Sequence, residues 1–212
     1  MNVWEIFVKG GPVMWPIAVC SLVSLALFID RISYFASVTT DVYALKSKVF
    51  DLLKQNRLKD AIVLCEQDPS PAAKILKAGI IKYGSGREEI KEAMEHVSLV
   101  EIPQLEKNLP ALSTIFHVAP LLGLLGTVTG MTASFYMIQV RAVAMDPLTT
   151  GDVAGGIWQS LLTTIFGLIV SVPTLLVYNY CVARVNSLVI DMERAATELI
   201  NLLSHLSESN PQ

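Results

Sequence analysis

Three long stretches of this chain carry no Asp, Glu, Lys or Arg: 10–29, 108–140 and 153–183, of 20, 33 and 31 residues. Crossing a hydrocarbon core about 30 Å thick takes about 20 helical residues. The first stretch just meets that length and the other two exceed it. We read three transmembrane helices, the second and third tilted or projecting beyond the bilayer. The stretch 10–29 follows one Glu and one Lys and is not promptly followed by a small-residue cleavage site, so it reads as an uncleaved span rather than a signal peptide. Charged residues make up only 17% of the chain and mean hydropathy is +0.51. That excludes both an ordinary soluble enzyme and a disordered chain. A net charge of −3 gives no basic face for nucleic acid. The three cysteines, Cys20, Cys65 and Cys181, are too scattered to frame a disulfide scaffold or a metal site.

The basic residues orient the spans. Twelve of the 16 Lys and Arg lie in 30–107 and two more, Arg184 and Arg194, follow the third span, leaving Lys9 and Arg141 for the other side. The positive-inside rule then predicts a periplasmic N-terminus at 1–12 and a first span at 13–30. A cytoplasmic helical domain and stalk follows over 31–107, then a second span at 108–140. A periplasmic loop at 141–152 leads to the third span at 153–183, with a cytoplasmic C-terminal helix and tail at 184–212. The expected fold is an all-α integral membrane protein whose long spans extend into a cytoplasmic helical domain.

Within 31–107 the apolar spacing is helical over 41–55, 57–66, 72–83 and from Glu88 onward. Asp68-Pro69-Ser70-Pro71 and Gly84-Ser85-Gly86 are the breaks. Glu88 and Glu89 mark the first turn of a helix opening at Ser85 or Gly86. Pro103 and Pro110 are positions for kinks on the way into the second span.

Both long spans carry polar faces. Advancing 100° per residue from Gln159, the residues Thr163, Thr174, Gly167, Ser160, Tyr178, Ser171 and Thr164 all fall within about 140°. On the second span Gly123, Thr127, Ser134, Gly130, Ala119 and Gly126 cluster in the same way, and Gly126 with Gly130 would let another backbone come close. Two meanings stay open: a helix-packing surface, or a hydrated path lined by hydroxyls. The charge-free stretches hold no Asp, Glu, Lys or Arg. The remaining titratable side chain of suitable range, His117, is placed at the cytoplasmic end of the second span and read as interfacial rather than as a relay. Protons crossing here would need an acid from a second protein.

The run Ala119-Pro120-Leu121-Leu122-Gly123-Leu124-Leu125-Gly126-Thr127-Val128-Thr129-Gly130-Met131 with Phe135 resembles the signature of the MotA/TolQ/ExbB proton-channel family. So does Gly156-Ile157-Trp158-Gln159-Ser160-Leu161-Leu162-Thr163-Thr164, continued by Gly167-Leu168, Pro173 and Tyr178-Asn179. Three spans and this length resemble the ExbB/TolQ branch; the flagellar MotA branch has four spans. The resemblance implies a homo-oligomer, a pentamer, in the bacterial inner membrane. The ring would pack around a small ExbD/TolR-like single-span partner that carries a membrane aspartate. It further implies that Thr127 and Thr164 face the pore and that aspartate, with Gln159 and Thr163 as additional path residues. Gly123, Gly126, Gly130 and Gly167 are the helix-packing positions. Neither a cofactor, a metal nor catalytic residues are implied. The implied function is an ExbB-like subunit of a proton-driven motor energising a TonB-like protein for outer-membrane transport. The alternatives are a TolQ-like subunit of the Tol-Pal system or a non-conducting membrane scaffold. Gln159 stands where many relatives have glutamate, and the hydroxyl-rich lining would also suit sodium.

Overall fold

The computed structural model describes residues 3–38, 42–145, 147 and 149–209, and among them every regular element is a helix. In chain order these are α1 (Val3–Lys9), α2 (Met14–Val38), α3 (Val42–Lys54), α4 (Leu58–Gln67), α5 (Pro71–Ile81), α6 (Arg87–Glu106), α7 (Leu109–Val143) and α8 (Thr150–Ser209). Three stretches are long and apolar enough to cross a membrane: Met14–Ala36, Arg87–Val143 and Val153–Leu206. The protein is therefore an all-α membrane protein whose second and third spanning stretches far exceed the first.

The chain divides into two compact units, one of Met1–Asp30 with Asn108–Tyr180, the other of Arg31–Lys107 with Cys181–Gln212. In the second unit α3 packs on α4, α4 on α5 and α5 on α6. Leu45, Val49, Leu53, Cys65, Ile75, Leu76, Ile80, Ile90 and Met94 are buried there together with Val185, Met192, Leu199 and Leu203 of α8. The break at 68–71 is a helix start: Ser70 caps α5 by accepting from the Ala73 amide at 3.3 Å, and Pro71 occupies the first helical position. Gly86 begins α6, with Glu88 and Glu89 in its first turn where acids suit the helix dipole. Lys74 reaches both carboxylate oxygens of Glu101, at 2.9 and 2.8 Å, tying α5 to α6.

Of the two expected kinks, Pro103 is accommodated inside α6, and Pro110 lies in the first turn of α7. The break falls instead at Lys107 and Asn108, where Asn108 takes a left-handed conformation with φ of 67°. Asparagine tolerates that region better than most residues. α8, by contrast, runs from Thr150 to Ser209 without interruption despite Pro173.

Candidate functional site

In the membrane unit α7 and α8 form an antiparallel pair whose contact surface is mostly backbone. Added Cβ atoms show how close the approach is. One at Gly123 would meet the Thr163 carbonyl and the Thr164 Cα, both at 3.0 Å. One at Gly130 would meet the Gly156 carbonyl at 2.9 Å, and one at Gly167 the Ala119 carbonyl at 2.7 Å. At Gly126 it would collide with the Thr163 side chain. The sequence-predicted packing glycines thus all lie in this one seam, the role small residues have between membrane helices.

Hydroxyls stitch the seam. Ser160 Oγ donates to Thr127 O at 3.2 Å, Thr164 Oγ1 to Gly123 O at 3.3 Å, Ser171 Oγ to Phe116 O at 2.7 Å and Ser134 Oγ to Val153 O at 3.5 Å. In all four pairs the two residue numbers add to 287, so the pair keeps one register over the whole contact. Buried hydroxyls in hydrocarbon need partners from within the protein, and these backbone carbonyls supply them. Ser160, Ser134, Ser171 and Thr174 are buried, as is Thr163, which is 0% exposed.

α2 runs alongside α8 in the same direction. Ser24 and Thr174 share a hydrogen bond of 2.6 Å. A Cβ at Gly11, in the left-handed turn between α1 and α2, would collide with the Gln159 side-chain amide. At the other end of this unit Asn108 Nδ2 donates to Asp30 Oδ2 at 3.0 Å.

These contacts separate the sequence-predicted path residues. Gln159 lies on the edge of α8 turned to the α1–α2 corner and is half-buried. Thr163 lies in the seam itself, its hydroxyl donating to Ser160 O at 2.9 Å. Thr164, about 140° around α8 from Gln159, lies on the opposite edge. Thr127 follows Gly123 by one turn, on the side of α7 that meets Thr164 rather than Thr163. Thr127 and Thr164 are both half-buried, and the Thr127 hydroxyl is held by Leu124 O at 2.6 Å. One polar stripe in the sequence is therefore two edges and a seam in the structure.

Beyond those edges the helices are apolar and exposed. Leu121, Leu124, Leu125, Val128 and Phe135 of α7 and Leu161, Ile165, Ile169, Val172 and Leu176 of α8 are all open, a surface that suits lipid or neighbouring helices. Among the described residues no group of three or more His, Cys, Asp or Glu side chains is arranged to hold a metal.

Sequence reasoning missed one residue. Pro120 has no N–H to offer the Phe116 carbonyl four residues earlier, and Ser171 provides the missing donor from α8. Pro120 in an apolar helix is a readable signal for an orphaned carbonyl, but which serine answers it depends on the register.

Residues 67–194 match the MotA/TolQ/ExbB proton channel family. The chain is 31% identical over 170 residues to an ExbB-like biopolymer transport protein of Synechocystis sp., covering 80% of each. It is 29% identical over 186 residues to an ExbB homologue of Methanothermobacter thermautotrophicus, covering 87% of this chain and 64% of that protein. It is 24% identical over 218 residues to the Tol-Pal system protein TolQ of Haemophilus influenzae, covering 96% of this chain and 94% of that one. The chain belongs to the MotA/TolQ/ExbB proton channel family, in its ExbB/TolQ branch.

Proposed function

We propose that this chain is the ring-forming subunit of an ion-driven motor in the inner membrane. Its N-terminus is periplasmic and its C-terminus cytoplasmic. Copies of the chain, five by the family pattern, surround the transmembrane helix of an ExbD-like partner whose aspartate carries the proton. The observation behind this reading is the edge shared by Thr127 and Thr164: two half-buried hydroxyls, about one helical turn apart in the α7–α8 register, within stretches that hold no Asp, Glu, Lys or Arg. A carboxylic acid arriving there from another protein would find hydroxyls and water instead of a competing charge. Protonation and deprotonation of that acid alter its attraction to the edge. Proton flow can thereby drive motion of the partner within the ring. Gln159 lies on the opposite edge of α8, at the α1–α2 corner and away from this path, while Thr163 buttresses the path edge from within the seam.

ExbB-type coupling, in which the motor energises a TonB-like protein for outer-membrane transport, is the assignment we favour. The TolQ relative aligned along almost its whole length keeps a Tol-Pal role as the second reading. Valine has threonine's shape without its hydroxyl. Thr164→Val and Thr127→Val should each abolish uncoupler-sensitive uptake while leaving the oligomer intact on native gels. Thr164→Ser should restore uptake, and Thr163→Val should keep most of it. Full activity in both edge valine variants would refute the hydroxyl path, and activity insensitive to uncouplers would favour a scaffold.

A further inference from the structure

The Asn108–Asp30 hydrogen bond shifts the meaning of His117. It sets the start of α7 level with the end of the charge-free part of α2. His117 lies nine residues further along α7, about 14 Å by helical rise, in a hydrocarbon core of about 30 Å. Counted from that end of the charge-free stretch, it lies near mid-bilayer. The seam register puts it level with Val170 of α8, one residue from the Ser171–Phe116 bond. An ionisable side chain at that depth is costly unless it serves a path or a partner.

The imidazole is also oriented. His117 Nδ1 lies 2.8 Å from the Ser113 carbonyl oxygen. A carbonyl only accepts, so Nδ1 carries the hydrogen and Nε2 keeps its lone pair. Phe116 flanks the ring at 4.1 Å between centroids and itself meets Tyr178 of α8 at 5.3 Å. The His117 side chain is exposed on the surface of the chain. α7 and α8 contribute no charged residue to this stretch; the titratable groups nearest it within the membrane unit are Tyr178 and Tyr180 of α8, and Cys20 and Asp30 of α2.

We propose that His117 is a proton-carrying group of the transmembrane path, on the cytoplasmic side of the Thr127–Thr164 edge. Nε2 accepts a proton released from the partner's carboxylic acid, giving an imidazolium and a carboxylate. The same Nε2–H bond then breaks to water on the cytoplasmic side, restoring the neutral ring, while Nδ1–H stays on Ser113 throughout. This assignment rests on the motor reading above and deepens it.

The test measures proton flux with a pH-sensitive dye in inverted membrane vesicles containing the whole native complex. His117→Gln should lower flux about a hundredfold, the low end of what a positioned proton-transfer group supplies. Oligomer size is checked in parallel. A second measurement covers loss by misassembly: in a background free of native cysteines, His117→Cys should react with a charged, membrane-impermeant thiol reagent as Thr127→Cys does. Wild-type flux in His117→Gln, or no reaction of His117→Cys where Thr127→Cys reacts, overturns the assignment. If Thr164→Val nonetheless blocks flux, the hydroxyl path stands without the histidine. If Thr164→Val also conducts normally, both readings fall.

Discussion

Ser171 Oγ donates to the Phe116 carbonyl at 2.7 Å, the one carbonyl of α7 that Pro120 deprives of its helical donor. A cross-helix bond of this kind does more than pack two faces, because losing it leaves a bare carbonyl where water is scarce. Ser171→Ala should destabilise the protein by about 1–3 kcal/mol, read as a lower thermal midpoint in detergent. In a Pro120→Ala background the backbone amide returns and the cost of Ser171→Ala should largely vanish. Equal costs in the two backgrounds would show that the bond is incidental.

The glycines of the spans are not equivalent. A side chain at Gly130 would press on the Gly156 backbone carbonyl at 2.9 Å, which cannot rotate away, whereas Gly155 has nothing within 4 Å. Gly130→Val should therefore cost at least about 1–3 kcal/mol. Gly155→Ala should be neutral or stabilise by about 0.5–1 kcal/mol through helix propensity. Thermal denaturation of both variants in the same detergent decides, and a reversed order would contradict the seam.

Two ion pairs of the second unit differ in burial. The Glu101 side chain is 8% exposed beside Lys74, while Glu198 is 50% exposed beside Lys46. Lys74→Met strands a buried carboxylate and should cost about 3 kcal/mol. Lys46→Met should cost less than about 1 kcal/mol, as surface pairs do. Similar losses, measured by chemical denaturation of the full chain, would mean that burial does not set their worth.

Burial, reinforced by the negative charge of Asp68, pushes the Cys65 thiol from its ordinary 9.0 up to about 11. Folding therefore favours the protonated thiol. Its contribution is complete below pH 9 and is lost as pH rises to about 11, roughly 3 kcal/mol in all at about 1.4 kcal/mol per unit. Cys65→Ala should flatten the decline of stability across that interval. Alkylation of native protein at pH 8 should leave Cys65 unmodified until denaturant is added.

The spans were legible from the charge-free windows because the bilayer forbids what those windows exclude. The helix breaks at 68–71 and 84–86 were legible because capping and turn chemistry are local. What lies between helices was not. A polar sector of about 140° is wider than one helix contact, so Gln159, Thr163 and Thr164 look alike on a wheel yet face a corner, a seam and an open edge. Proline at 110 reads as a kink in a helix but as a favourable opening residue once Asn108 turns the chain. Which ends of α2 and α7 share a level was not legible either, and the Asp30–Asn108 bond tells that.

The backbone-to-backbone seam between α7 and α8 bears on where movement can occur. Sliding one helix past the other by a single residue would uncouple four hydroxyl bonds at once and drive glycine backbones into side chains. The pair therefore behaves like a stave of a barrel, stiff along its length and unable to shear. If an engine is built from such staves, its stroke belongs to whatever turns inside the barrel, and the stave's task is to stay still.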